Sequence, residues 1–259
     1  MYLESKVDDV PQIKVVYRKD DGQEGTIAVD ADTTAVWIDG IGASWVDLGP
    51  LSSCSRLHTL DLSTNALSEI DLTPLAFCKN LERLFLGGNK LQSVDLGPVA
   101  SCAKLAVLEL WQNNLQTLDL AALSQCKALD MFDVSANKLT TIDLSPFGSC
   151  TALKTIHFWQ NQLITVDLTP LSACTNLEEL DLADNQLRDI DLAPLSSCTM
   201  LHTLDLRKNS LAQLDVAPLR HCTRLARLDL RDNAIVNLDT TQLSALTELR
   251  IMGFRKKRS

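Results

Sequence analysis

Leucines and polar residues alternate along this chain in a pattern that repeats every 24 residues. Between Thr59 and Ser63, inward leucines alternate with outward polar residues, which is the periodicity of a β-strand. Pro74 then stands at a helix-start position, and the spacing of Leu75, Cys78 and Leu81 predicts a short helical turn. Each unit therefore predicts one strand and one helical turn, and successive strands are expected to stack into a parallel sheet.

Three residue types keep this period without an insertion or deletion. The eight cysteines are Cys54, Cys78, Cys102, Cys126, Cys150, Cys174, Cys198 and Cys222. The asparagines in phase with them are Asn65, Asn89, Asn113, Asn137, Asn161, Asn185, Asn209 and Asn233. The aspartates are Asp47, Asp71, Asp95, Asp119, Asp143, Asp167, Asp191, Asp215 and Asp239. Such phasing predicts a solenoid in which each unit buries its apolar residues against its neighbours. Ten turns, counting the ends, would give a sheet about 45 Å long.

Each of these rows has a structural interpretation. The aspartate and cysteine rows also have metal binding as an alternative. An asparagine row satisfies backbone groups inside the bend after each strand. Each aspartate lies two residues before a predicted helix start and is expected to accept a backbone N–H there, with a cation site as the alternative. The regularly spaced cysteines predict buried reduced thiols rather than disulfides, and they lack the paired spacing of zinc sites.

The segment Leu57, Leu60, Leu62, Asn65 and Leu67 resembles the signature of the leucine-rich-repeat family, and it recurs through roughly four fifths of the chain. The resemblance implies an α/β repeat solenoid, a horseshoe or arc with a concave parallel β-sheet and short helical turns on its convex side. The second half of the unit departs from the best-known subclasses, so no functional subfamily is implied. Proteins with similar repeats commonly serve as recognition scaffolds.

The two ends differ from the repeat. Residues 1–32 are expected to form an N-terminal cap, because alternating segments around Asp-Asp-Gly predict a β-hairpin. Residues 33–248 form the solenoid, and 249–259 hold a last strand and a basic tail. Leu249, Met252 and Phe254 keep the strand phase in this interpretation. The cations of residues 255–258 are expected to be a solvated tail, with a nuclear-import or acidic-partner patch as the alternative.

Charge and hydropathy narrow the class of partner. The net charge of −9 argues against a nucleic-acid partner, because binding phosphates needs clustered cations. No apolar run reaches the length of a membrane span, and the start of the chain lacks the apolar core of a signal peptide. We therefore expect a cytoplasmic monomer, with a nuclear location as the alternative, and neither a membrane partner nor a cofactor or metal.

Outward residues of the strands are where the repeat stops being uniform. The central row runs from Trp37 through His157 to Asp229 and, in this interpretation, Gly253. We expect the cap to cover Trp37, whereas the exposed aromatics farther along resemble interface anchors. Packing of these rings on one another is the alternative. The predicted partner-binding residues of the concave face are Arg83, Phe85, Val107, Glu109, Trp111, Met131, Asp133, His157, Trp159 and Asp181.

Two further features complete the picture of this face. Toward the C-terminus the surface carries residues of both signs, such as Asp205, Arg207, Asp229 and Arg231, which predicts exposed rim pairs. Ser135, Asp133 and His157 lie side by side on paper, but an open sheet excludes no water and offers no oxyanion donors. We therefore expect no catalytic residues and interpret the chain as a protein- or peptide-binding module. The alternatives are a regulatory or structural spacer domain of a larger intracellular signalling protein, and hydrolysis at His157.

Overall fold

The computed structural model describes residues 12–253 and has a ten-stranded parallel sheet as its main element. The strands, each three residues long, are β3 (Ala35–Trp37), β5 (Thr59–Asp61), β6 (Arg83–Phe85), β7 (Val107–Glu109), β8 (Met131–Asp133), β9 (Thr155–His157), β10 (Glu179–Asp181), β11 (Thr203–Asp205), β12 (Arg227–Asp229) and β13 (Arg250–Met252). Neighbours in the chain are neighbours in the sheet, so the predicted solenoid is confirmed.

Strand register follows the 24-residue period until the last turn. Leu60 pairs with Leu84, for example, and Phe132 pairs with Ile156. In the last turn, however, Asp229 pairs with Met252 and Leu228 with Ile251. The prediction that Gly253 ends the central row and that Met252 points inward was therefore wrong by one residue. Phe254 and residues 255–258 lie outside the described residues.

Short 3₁₀ helices form the return side of each turn. They are Gly49–Ser53, Thr73–Phe77, Gly97–Ser101, Ala121–Gln125, Ser145–Ser149, Thr169–Ala173, Ala193–Ser197, Ala217–His221 and the shorter Thr241–Leu243. The helix of the second unit ends before Cys78, so Cys78 and Leu81 follow the helical turn instead of forming it. A tight 3₁₀ turn suits this place because its three-residue winding lets a single leucine per helix, such as Leu75, reach the core.

The aspartate row caps these helices, as predicted. The Oδ1 of Asp71 accepts the backbone N–H of Thr73 at 2.8 Å, and the same bond recurs for all nine aspartates. Hydrogen bonds from Thr73 lower the pKa of Asp71, because they favour its charged form. No group of three or more potential metal ligands converges within residues 12–253. The carboxylates therefore have a structural role at the start of each helix.

The asparagine row joins each turn to the one before it. The Nδ2 of Asn89 donates to the carbonyl of Leu62 at 3.0 Å, while its Oδ1 accepts the N–H of Leu67 at 3.1 Å. The residue before each asparagine takes a left-handed backbone conformation, for example Gln112 with φ of 51° and Ala136 with φ of 53°. This sharp bend ends the strand and aims the residue that follows it across the sheet edge.

The cysteine row is buried, as predicted. All eight thiols are free, and the Sγ of Cys78 contacts the carbonyl oxygen of Leu51 in the preceding turn at 3.3 Å. Burial, with the neighbouring thiols Cys102 and Cys54 adding to it, raises the pKa of Cys78 to about 12. A thiol that stays protonated is a poor nucleophile and a poor metal ligand, so the row acts as core.

At the N-terminal end, β1 (Gln12–Lys19) and β2 (Glu24–Asp30) form an antiparallel hairpin. β1 also pairs with β4 (Ala43–Val46) of the first unit, and Val15 joins the hydrophobic core. Trp37 is nevertheless 58% exposed, so the expectation that the cap covers it was wrong for the residues described. No helix within residues 12–253 is long and apolar enough to cross a membrane.

Candidate functional site

The strand alternation places all ten predicted binding residues around the outward face of one sheet. In β7 the inward Leu108 is fully buried, while Val107 and Glu109 on either side of it are half-buried at the surface. The same alternation holds from β6 to β10, so the neighbouring outward residues of each turn form rows along the sheet. The inward leucines and phenylalanines hold these strands rigidly, which fixes where the outward side chains begin.

A second row of residues lies two positions after the end of each strand, and it alternates small and large side chains. It reads Gly87, Trp111, Ser135, Trp159 and Ala183, and the three small residues in it are buried. Any Cβ at Gly87 would overlap the indole of Trp111, which shows that this ring lies over the glycine. The alternation gives each tryptophan a small neighbour, and the two tryptophan backbones lie about 10 Å apart by strand spacing.

Between these two tryptophans lies a cavity of about 600 Å³. Its walls are formed by the residues Trp111, Gln112, Asn113, Asp133, Ser135, Ala136, Asn137, Lys138, Trp159 and Gln160. Trp159 is 38% exposed, whereas Trp111 is half-buried, with its Nε1 donating to Glu109 Oε2 at 2.9 Å. Apart from the two tryptophans and Ala136, the residues that line the cavity are polar or charged.

The structure brings only part of the predicted set to this cavity. Trp111, Asp133 and Trp159 line it, and Glu109 holds Trp111 in place. Arg83, Phe85, Val107 and Met131 lie on the same face beside it, and none of them is among the lining residues. The sequence did not point to Gln112, Ala136 and Gln160, which take the left-handed conformation after each strand, or to Lys138, which follows Asn137. The signal was the asparagine row, because the residues next to it border the sheet edge.

Acidic side chains near the cavity are held close together. Burial raises the pKa of Glu109, with Asp133 and Asp61 adding to the rise against the hydrogen bond from Trp111. Burial likewise raises the pKa of Asp181 to about 6, although the N–H of Ala183 and the charges of His157 and Arg207 act the other way. Within residues 12–253, neither Glu109 nor Asp181 forms an ion pair with a lysine or arginine.

His157 lies among carboxylates rather than beside a nucleophile. Its Nδ1 is 3.6 Å from Asp133 Oδ2, and its Nε2 is 3.5 Å from Glu179 Oε1, a partner that the sequence did not suggest. Burial lowers the pKa of His157, but Asp133, Glu179 and Asp181 outweigh burial and raise it. Ser135 Oγ donates to Asp133, not to the imidazole, so Ser135 is not activated by this histidine. The His157 Nε2 atom is buried without a hydrogen-bond partner.

The pairs predicted at the C-terminal end join buried aspartates to exposed arginines, so the expectation of exposed rim pairs was wrong for the aspartates. The side chain of Asp229 is 0% exposed, and Arg231 and Arg227 donate to its Oδ2 at 2.5 Å and 3.2 Å. Asp205 is also buried and lies 3.4 Å from Arg207 and 3.6 Å from Arg227. Burial would raise the pKa of Asp229, but its bonds to Arg231 and Arg227 lower it overall. The carboxylates are therefore packed structural groups, whereas the guanidinium groups that cover them remain in contact with solvent.

Two parts of the sheet face can now be distinguished. We call the outward side chains of β7 to β10, with Trp111, Ser135, Trp159 and Ala183, the aromatic half. The outward side chains of β11 and β12, with Arg207 and Arg231, are called the arginine half. Equivalent positions carry carboxylates in both halves, but only in the arginine half do guanidinium groups from the chain itself pair with them.

Sequence comparison finds the repeat in known families. Models described as "Leucine rich repeat" match residues 79–139 and 103–163, and models described as "Leucine Rich repeats (2 copies)" match residues 151–197 and 175–221. Together these matches span residues 79–221, more than half of the 259-residue chain. No curated protein matches the chain.

Solved structures share the fold. Internalin C2 from Listeria monocytogenes superposes with a TM-score of 0.64 and 27% identity, covering 76% of this chain and 81% of its own. The functional domain of InlJ from Listeria monocytogenes, which includes a cysteine ladder, has a TM-score of 0.65 and 22% identity over 87% of this chain and 56% of its own. TLR13 in complex with ssRNA13 has a TM-score of 0.68 and 27% identity over 79% of this chain, which spans only 29% of the TLR13 chain.

Proposed function

The chain belongs to the leucine-rich-repeat family, and we propose that it is a binding module that holds a protein or peptide on its concave sheet face. Leucine-rich-repeat domains generally mediate protein–protein interaction, and the family is generally not enzymatic. The partner-binding residues that we propose are Arg83, Phe85, Val107, Glu109, Trp111, Met131, Asp133, His157, Trp159 and Asp181.

The observation that carries this proposal is the cavity between Trp111 and Trp159. Two tryptophans two turns apart line a space of about 600 Å³ whose other lining residues, apart from Ala136, are polar or charged. Aromatic side chains in a partly desolvated pocket are the residues that most often dominate binding energy at interfaces. A segment of a partner laid along the sheet would bury both rings and reach the carboxylates behind them.

Several properties of the proposed module follow from less direct support. Eight free thiols favour a reducing, intracellular location, and the acidic face disfavours nucleic acid as the partner. We further propose that the protein is a monomer and acts without a cofactor. We propose that its domains are a cap at 1–32, a solenoid at 33–248 and a last strand with its tail at 249–259. Size measurement by light scattering and fractionation of cells expressing the full-length protein test the oligomeric state and the location.

A regulatory or spacer domain is the second candidate, and exposed apolar residues away from the sheet favour it. Phe77 is 62% exposed at the end of a 3₁₀ helix, and Val236 is 79% exposed. A spacer that docks within a larger protein would use such residues instead of the sheet face. Phe77 therefore gives a matched aromatic control for every substitution in the cavity.

A random peptide library displayed on phage tests the proposal without assuming a partner chemistry. Selected peptides are measured by fluorescence anisotropy against the wild type, W111A, W159A and F77A. We expect W111A and W159A to weaken binding at least tenfold, since each removes one wall of the cavity, while F77A leaves it unchanged. Selected peptides that bind W111A and W159A as tightly as wild type, or that lose affinity only with F77A, would overturn the concave-face assignment.

A further inference from the structure

We propose that the cavity between Trp111 and Trp159 takes an arginine side chain presented by a segment of the partner protein. This inference rests on the proposed function, which it deepens by naming the chemistry that the partner must carry. Three independent observations support it: the two tryptophans that line the cavity, the charge of the aromatic half, and the way the same fold neutralises equivalent carboxylates in the arginine half.

The two aromatic side chains suit a planar cation. Trp111 and Trp159 begin two turns apart, which is about 10 Å between their backbones by strand spacing, and both line the same cavity. Cations are attracted to an indole face within about 6 Å of its centroid, and a guanidinium can stack flat on it. Trp111 is held by its bond to Glu109 and by its contact with Gly87, so one wall of the cavity is already in place before a ligand arrives.

Negative charge dominates the surroundings of the cavity. The outward positions of β7 to β10 include Glu109, Asp133, Glu179 and Asp181, and they contain no lysine or arginine. His157 between them is shared by Asp133 and Glu179. Lys138 is the one cation among the lining residues, and its side chain is exposed. Glu109 and Asp181 form no ion pair with a lysine or arginine within residues 12–253, so a cation on the partner would supply a counter-charge that an anionic or uncharged segment would not.

The arginine half shows that the fold accommodates an arginine two residues after the end of a strand. Arg231 reaches back to Asp229, two residues earlier, with its Nε and Nη2 at 2.9 Å and 2.5 Å from the two carboxylate oxygens. Arg207 and Asp205 stand in the same relation. The equivalent of Arg231 is Ser135 beside Asp133 and Trp111 beside Glu109. Trp111 already covers Glu109 with its own hydrogen bond, so the smaller Ser135 beside Asp133 marks the place where a guanidinium donated by the partner would lie.

Five-residue peptides provide the probes for a direct test. They are acetyl-Gly-Ser-Xaa-Ser-Gly-amide with arginine, citrulline, lysine or glutamate at Xaa, each added to about 10 mM to the whole chain. The indole N–H signals of the four tryptophans are followed by NMR and assigned with single Trp→Phe variants. Citrulline keeps the shape of arginine without its charge, so it isolates the electrostatic contribution.

We expect the arginine peptide to shift the Trp111 and Trp159 signals saturably while those of Trp37 and Trp45 stay in place. Citrulline should bind at least tenfold more weakly, lysine at least threefold more weakly, and glutamate without a saturable shift. D133N and E109Q should each weaken the arginine peptide at least fivefold, and F77A should not change it. The asparagine and glutamine variants keep the hydrogen-bond acceptors, so loss of the fold is not the expected cause, and circular dichroism checks this.

Three results would overturn the inference. These are no saturable shift with arginine, equal affinity for citrulline or lysine, or equal shifts of all four tryptophan signals. Failure of the inference is distinguishable from failure of the proposed function. Library peptides that require Trp111 and Trp159 but carry no arginine would leave the binding module in place while removing this ligand.

Discussion

The two halves of the sheet face carry carboxylates at the same positions of the repeat but neutralise them differently. In the arginine half, Asp229 is fully buried and bonded to Arg231 and Arg227, and these bonds lower its pKa. In the aromatic half, Glu109 and Asp181 form no ion pair with a lysine or arginine of the described chain, and burial raises their pKa values. In the arginine half the chain's own arginines neutralise the carboxylates. In the aromatic half the carboxylates are left for a ligand to neutralise.

The largest expected effect on stability comes from removing a buried carboxylate of the arginine half. Asp229→Ala leaves two guanidinium groups without their shared acceptor, and we expect it to lower the free energy of unfolding by about 3 kcal/mol. Glu109→Ala, the equivalent change in the aromatic half, should cost less than about 1 kcal/mol, because it removes one hydrogen bond and also relieves a buried charge. Urea denaturation at pH 7 measures both. Equal losses would mean that the two halves do not differ in the proposed way.

Gly87→Ala tests how the aromatic half is built. The added methyl would overlap the Trp111 ring, so either the ring moves or the turn loses about 2 kcal/mol of stability by overpacking. Gly148→Ala is the matched control, since a Cβ there meets only the carbonyl oxygen of Pro170 at 4.0 Å. Thermal unfolding and tryptophan fluorescence report the two outcomes. A variant with unchanged stability and an unchanged emission spectrum would show that Trp111 is not seated on Gly87.

Asp181→Asn removes a negative charge from the aromatic half that burial makes unfavourable. The folded-state pKa of Asp181, about 6, lies above its ordinary value of 3.8, so the carboxyl stabilises the fold only while protonated. That contribution is complete below about pH 4 and is lost as the pH rises through 6. Asparagine keeps the acceptor for the Ala183 N–H. The variant should therefore be more stable than wild type by about 1 kcal/mol at pH 7.5 and equal to it at pH 4.

Denaturant titrations at the two pH values decide this point. A gain in stability that is the same at pH 4 and pH 7.5 would trace the effect to packing instead of charge. A loss at pH 7.5 would show that Asp181 is already neutralised in the folded chain.

The smallest expected effect concerns the cation at the cavity wall. Lys138→Gln removes a like charge from the approach of an arginine, and we expect the arginine peptide to bind about twofold more tightly. Lys90→Gln, on an exposed lysine at the same repeat position two turns before Lys138, is the control and should leave the affinity unchanged. Isothermal titration with the arginine peptide measures both. Weaker binding after Lys138→Gln would mean that this lysine contacts the ligand favourably.

The fold could be predicted almost completely from the sequence, because its ladders repeat one local arrangement. Asp71 and its equivalents cap helices, and Asn89 and its equivalents bridge turns, as spacing alone indicated. The last strand was placed one residue wrong because β13 follows β12 after a turn shorter by one residue, and Gly253 took the place that belongs to Met252. The repeat period predicts strand register only where every turn has the same number of residues.

The site was less predictable, because it depends on how side chains at different turns meet. Trp111 and Trp159 were found from their outward positions, but the role of Gly87 as a seat for Trp111 required coordinates. Asp229 was interpreted as an exposed rim residue, since the sequence does not say that Arg231 folds back over it. Glu179 was missed as a partner of His157 for the same reason, because their contact runs diagonally between the neighbouring strands β9 and β10.

One measurement tests most directly whether the aromatic half is left open for a guanidinium. Ser135→Arg places an arginine two residues after Asp133, in the relation that Arg231 has to Asp229, and Ser135→Gln places an uncharged chain there. We predict that Ser135→Arg keeps the fold and loses affinity for the arginine peptide at least tenfold more than Ser135→Gln. Equal losses in the two variants, or an arginine variant that binds the peptide as well as wild type, would contradict the account.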